Sequence, residues 1–277
     1  MRIWGLVMPV LAVASTAAAA TVKVVYAEPK EARDAPLAQA MRQKQILEKA
    51  AEVVKTVRLP RTLTLKAESC GEPNAWYDPD TDIVTFCYEL VREMVQRAGS
   101  ADRMGLTREQ AVIGPFAFIV FHETAHAVFA LLKVPILGRE EDAADQVAAY
   151  TSLRLGDDFA EKMLRAAAFM YDQDARSRKV GEDDFADVHG LDRQRYYNVL
   201  CIAWGADPKR FAFAKELGKL PEDRAEGCAD EYAQVKYAVA ALIRKNVDQA
   251  EVARVKAKAS RSRFARSVDA ADAGVAR

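Results

Sequence analysis

Histidine is scarce, with three in 277 residues, so a metal site built mainly from imidazole has few ligands to choose from. Cysteine is scarce too, at four. That excludes a disulfide-dense scaffold and leaves room for two staples. Neither sign of charge is in excess, because 40 basic and 40 acidic side chains cancel. A general nucleic-acid-binding role is therefore not expected. There is no internal repeat, and no C-x-x-C spacing of the kind a structural zinc site favours. Beyond the N-terminus, no segment reads as long and apolar enough to cross a bilayer. What is present is 51% apolar and 29% charged. That excludes a disordered chain and fits one globular domain, or at most two small ones.

Residues 1–20 read as a secretory signal peptide. Arg2 supplies the positive start, residues 3–13 are apolar but interrupted by Gly5 and Pro9, and residues 15–20 are small and offer Ala-x-Ala cleavage sites. The apolar run is short of the roughly 20 residues that a span needs, which favours cleavage near Thr21 over an anchor. The expected protein is exported, periplasmic or secreted, without stable membrane insertion after cleavage. Export makes the cysteines candidates for disulfides. Of the three possible pairings, local spacing favours Cys70–Cys87 and Cys201–Cys228. A loop of this size is worth roughly 3 kcal/mol in the chain-entropy model.

Alternating β-branched residues predict a strand over 21–27, and three more are expected at 63–66, 74–77 and 83–87. The last two flank the turn-rich run Asp78-Pro79-Asp80-Thr81-Asp82. A long helix is expected over 31–57. After Tyr88 the chain reads as helix at 89–99, 107–132, 140–154, 157–175, 190–203, 208–217 and 222–246. The mature domain spans 21–250. From Glu251 to the end the chain is rich in Ala, Ser, Lys and Arg, which predicts a disordered basic tail over 251–277.

Residues 122–126 read His-Glu-Thr-Ala-His inside a strongly apolar helix, with Pro115 expected in its first turn. Four residues advance a helix so that His122 and His126 lie about 40° apart on one face. That is the geometry two imidazoles need to share one zinc ion. Glu123 sits beside them without ligating and can take a proton from water made acidic by the metal.

A third ligand is required. The metzincin pattern would place Gly and His at positions 129 and 132, where the chain has Phe129 and Leu132. Downstream, Arg139-Glu-Glu-Asp-Ala-Ala-Asp145 puts Glu141 and Asp145 four residues apart on a new helix. This is similar to the Glu-x-x-x-Asp element of gluzincins such as thermolysin and the CAAX prenyl endopeptidases. The resemblance implies that Glu141 is the third ligand and that Asp145 fixes the tautomer of His122. Glu140 is the rival ligand, but it has Ala144 rather than an aspartate four residues on.

Asn74-Ala75-Trp76-Tyr77 resembles the Asn-Ala-Phe edge strand of thermolysin-like sites. The resemblance implies that Asn74 and Ala75 bind the backbone of an extended peptide or protein substrate. His189 and Arg195, six residues apart, are similar to the His-x5-Arg element of CAAX-type peptidases. By that likeness both belong to the catalytic machinery, with a donor aimed at the developing oxyanion. Arg195 would hold His189 or reach the substrate. Tyr77 and Tyr150 compete for the donor role.

The leader, Cys-Gly-Glu-x-Asn-Ala-x-Tyr, Cys-Tyr-Glu-Leu, His-Glu-x-x-His, Gly-Arg-Glu-Glu-Asp-Ala-Ala-Asp and His…Gln-Arg-x-Tyr-Asn-x-x-Cys together resemble a bacterial metallopeptidase family known as a domain of unknown function. The resemblance covers about residues 25–230. The expected fold is α+β and zincin-like, mostly helical, with a small antiparallel sheet beside the zinc helix. The expected function is zinc-dependent hydrolysis of peptide bonds. The alternative is an inactive exported protein that keeps the fold as a binding or scaffold module. An intact Glu123 argues against it, since a purely structural site needs no base.

Overall fold

A computed structural model describes residues 20–177 and 179–261. The expected leader, apart from Ala20, and the end of the expected tail lie outside the described residues. The fold is α+β, mostly helical with one small mixed sheet. Strand β1 (Val22–Tyr26) is followed by helices α1 (Ala35–Gln43) and α2 (Ile46–Val54) before the chain returns as β2 (Leu63–Glu68). Then come β3 (Ala75–Asp78) and β4 (Ile83–Cys87), and the spatial order is β1-β2-β4-β3.

The sheet is not antiparallel, as the sequence led us to expect. β1 pairs parallel with β2, and β2 parallel with β4; only β3 and β4 are antiparallel. The reason is the connections. β1 reaches β2 through a helical crossover, which parallel pairing requires, whereas β3 reaches β4 through a tight turn. In that turn the Asp78 carboxylate accepts from the Asp80 N–H at 2.9 Å and the Thr81 hydroxyl at 2.7 Å. β4 is inserted between β2 and β3, so β3 is left as an edge strand.

The long helix expected over 31–57 is broken. Gln45 takes a left-handed backbone, φ 52°, and the second helix starts afresh behind it. Tyr26 on β1 stabilises the break: its hydroxyl accepts from the Leu47 N–H at 3.0 Å and donates to Glu48 at 2.9 Å. Leu47 is thereby driven fully into the core.

Helix α3 (Tyr88–Arg97) leads to α4 (Gln110–Leu132), the central element. Thr107 and Gln110 start α4 by reciprocal side-chain-to-backbone bonds of 3.2 and 2.9 Å, a capping box. Pro115 lies within the helix, one turn later than expected. Among the described residues α4 is the one helix long and apolar enough to span a membrane, which corrects the expectation that no such segment follows the leader. It is apolar all round because protein surrounds it, with 67% of its most apolar stretch buried. Helix α5 (Glu140–Arg154) and helix α6 (Asp157–Ser177) pack on it. A Cβ at Gly114 would come within 2.3 Å of Ala166 Cβ, so the α4–α6 approach requires glycine there.

The rest is helical: α7 (Glu182–Ala186), α8 (Asp192–Ala206), α9 (Phe213–Glu216), α10 (Glu222–Glu226), α11 (Cys228–Leu242) and α12 (Gln249–Arg261). The helix expected at 222–246 is divided at Gly227. Disorder from Glu251 is not what the structure has over α12. Val255 is buried in the core and Lys258 pairs with Glu52 of α2 at 2.5 Å, which anchors this stretch. Both expected disulfides are present, with Cα–Cα separations of 5.5 Å for Cys70–Cys87 and 5.0 Å for Cys201–Cys228. The first pins the segment before β3 to the end of β4. The second ties α8 to α11.

Candidate metal centre and cleft

α4 presents His122 and His126 on one face, and the turn at 133–139 brings the start of α5 against it. The two imidazole Nε2 atoms lie 3.2 Å apart. Glu141 Oε2 is 3.0 Å from His122 Nε2 and 3.3 Å from His126 Nε2. Three ligand atoms therefore converge on a triangle with nearly equal sides.

The far sides of the rings are held by carboxylates. His122 Nδ1 bonds Asp145 Oδ1 at 2.8 Å, as expected for Asp145. His126 Nδ1 bonds Glu140 Oε1 at 2.7 Å, so the rival ligand is instead a positioning group. When the rings are neutral and each Nδ1–H donates backwards, each Nε2 directs its lone pair forwards. Asp145 is buried, and its oxygens are fully engaged. It also accepts from the Tyr171 hydroxyl at 2.8 Å and from Arg195 Nε and Nη2 at 2.8 and 2.9 Å. Arg195 lies over the Tyr171 ring, 4.5 Å from its centroid. Arg195 lines the cleft together with His189, but the bonds it makes run to Asp145, behind His122, rather than to His189. Arg195 sits on α8, while His189 stays in the preceding loop.

His189 is nonetheless at the centre. Its Nε2 reaches Glu141 Oε2 at 3.0 Å, its Nδ1 bonds Asp187 at 2.9 Å, and its ring is stacked near that of His122 with centroids 6.4 Å apart. It is not one of the compact group formed by His122, His126 and Glu141. The rival donors are elsewhere: the Tyr77 hydroxyl bonds Asp82 at 2.9 Å, and Tyr150 packs on Tyr232.

The electrostatics suit a cation. Burial pushes the Glu141 carboxyl up, but the three imidazoles outweigh it and hold it well below the usual carboxylate range. Burial lowers His122, and the Asp145 and Glu141 carboxylates reverse this to about 9. Asp145 is likewise buried, yet Arg195 and His122 hold its carboxyl well below the usual carboxylate range. Glu123 differs. It is buried on the wall of the cleft, and desolvation pushes its carboxyl up despite the neighbouring imidazoles. Its Oε1 is 4.0 Å from His122 Nε2, beside the ligand atoms rather than among them.

A cleft of about 400 Å³ opens onto this group, and His122, Glu123 and His189 line it. Asn74 and Ala75 form part of its rim at the start of edge strand β3. The Asn74 side chain is folded onto its own strand, where Oδ1 accepts from the Ala75 N–H at 2.8 Å.

Comparison with known proteins bears on a chain carrying this site. The family model described as "Putative metallopeptidase" matches residues 26–243. The chain belongs to that family. Its matched span contains every residue of the centre, both disulfides and the whole cleft lining. No curated protein and no solved structure matches the chain.

Three positioning groups escaped the sequence reading. Glu140 stands next to Glu141, and its position in the sequence suggests only a rival ligand. Asp187 lies two residues before His189, a spacing at which an aspartate commonly bonds forward to the backbone, and its Oδ1 does accept from the His189 N–H at 2.7 Å. Tyr171 had no local signal, since it arrives from α6.

Proposed function

We propose that the protein is an exported zinc-dependent peptidase of gluzincin type on a zincin-like fold. The observation that carries this is the near-equilateral triangle of His122 Nε2, His126 Nε2 and Glu141 Oε2. Ligands about 2.0–2.1 Å from a tetrahedral zinc stand about 3.3–3.4 Å from one another, and the sides here are 3.0–3.3 Å. Two neutral imidazoles and one carboxylate are a catalytic zinc donor set that leaves a position open. Those three residues would hold the ion. A zinc ion bound there supplies Lewis acidity, polarising a carbonyl and lowering the pKa of water toward neutrality.

The chain's own groups do the rest. Glu123, buried and desolvated, accepts the proton of the attacking water and delivers it to the leaving amine. His189, braced by Asp187, donates toward the carbonyl oxygen as charge develops there. β3 offers a free edge for an extended peptide, so backbone hydrogen bonds can align the substrate beside Glu123. Asp145 and Glu140 hold the two motif rings at fixed angles. The disulfides suit an oxidising compartment, which agrees with the leader-like N-terminus.

The test is elemental analysis of the purified mature protein with a peptide-library digest. One zinc per chain, lost in a His126→Ala or Glu141→Ala variant, together with cleavage that a chelator abolishes, is expected. Absence of metal, with no uptake on adding zinc, contradicts the reading.

A further inference from the structure

The cleft holds a charged cluster that the proposed hydrolysis does not use. Arg97, at the end of α3, pairs with Glu93 one turn before it and with Asp174 of α6. All three line the cleft that also contains His122 and Glu123. One guanidinium between two carboxylates leaves one negative charge in excess. The closest contacts of Arg97 are to Glu93 Oε1 and Asp174 Oδ1. The side chains of Arg97, Glu93 and Asp174 are 35%, 29% and 30% exposed, so the cluster is reachable from the cleft.

The path to it is apolar. Ala111, Pro115 and Ile119 lie eleven, seven and three residues before His122, which places them in one stripe along α4. Met94 and Met170 face the same space from α3 and α6. Methionine adapts its shape to an unbranched aliphatic chain. Gln173, next to Asp174 on the same wall, has a buried Nε2 without an acceptor.

We infer that this cleft selects a substrate residue with a long basic side chain, lysine or arginine; the inference rests on the peptidase reading. Methylenes would cover the methionines and Ile119, and the cationic tip would meet the Glu93 and Asp174 carboxylates and bring the cluster to neutrality. A purely apolar side chain would remove water from three charged groups and return no hydrogen bond. An acidic one would add a second uncompensated negative charge. Burial pushes the Asp174 carboxyl upward even with Arg97 beside it, so a further cation there has something to gain.

The experiment uses the full mature chain, zinc-loaded and carrying Glu123→Gln to suppress turnover. Octapeptides that differ at one position (Lys, Arg, Leu or Glu in an alanine background) are titrated by calorimetry. Lysine and arginine peptides should bind at least about tenfold tighter than the leucine peptide. Adding Asp174→Asn should erase most of that ratio while leaving the leucine peptide's Kd nearly unchanged. Glu93→Gln should act in the same direction, and it reads the ratio if Asp174→Asn fails to fold. Peptides that bind without basic preference, or a ratio that survives both substitutions, overturn this inference alone. No binding of any peptide by the zinc-loaded protein overturns it together with the peptidase reading.

Discussion

His122 and His126 occupy equivalent places in the motif, yet the protein holds them in opposite ways. Behind His122 stands Asp145, 6% exposed at its side chain and clamped by Arg195 and Tyr171. Behind His126 stands Glu140, 51% exposed. One imidazole is fixed by a buried network spanning α4, α5, α6 and α8. The other is steadied by a rim carboxylate at the first residue of α5. The contrast separates two jobs. The His122 side couples the metal centre to the core, so its integrity and the fold's stability go together. On the same reasoning, changes on the His126 side should alter the centre and leave the fold's stability nearly untouched.

The sharpest way to break this contrast is Asp145→Ala. It strands Arg195 and His122 without their buried partner, which costs about 3–5 kcal/mol. Losing the bond to His122 should also lower zinc affinity by about 10- to 100-fold. Urea unfolding of the metal-free protein and a zinc competition titration measure the two effects. Glu140→Gln should do much less. We expect about a tenfold loss in zinc affinity and an unfolding midpoint within error of the parent. If the two variants destabilise the fold alike, the asymmetry is wrong. The smallest effect is expected from Tyr171→Phe, which removes one of several donors to Asp145. About 1 kcal/mol of stability should be lost, with zinc stoichiometry unchanged. A larger loss of metal than of stability would move Tyr171 from the network into the centre itself.

The same division decides what could be read from sequence. The motif on α4 was legible because helical periodicity alone puts residues four apart on one face. Glu141 and Asp145 obey the same spacing, so both roles were visible once a second helix was assumed. The disulfides follow from the expected export and from local spacing. Arg195 and Tyr171 were not legible in these roles. They reach Asp145 from helices 50 and 26 residues away along the chain, and only packing of α6 and α8 on α5 brings them there. The direction of the first strand pair is implicit in the order of elements. A strand, a helical stretch and a strand in succession imply a parallel pair, and β1, α1, α2 and β2 are that succession. The break at Gln45 had no Gly or Pro to announce it; it depends on the Tyr26 hydroxyl from a neighbouring strand.

The measurement closest to the central claim is the hydrolysis rate of zinc-loaded Glu123→Gln. The substitution keeps the shape of the side chain and touches none of the three ligands, so one zinc per chain should remain. Removing a proton acceptor of this kind should lower kcat at least about a hundredfold. A metal-loaded variant that hydrolyses peptides at the parent's rate would contradict the account, because the buried carboxylate beside the ligands would then have no part in the chemistry.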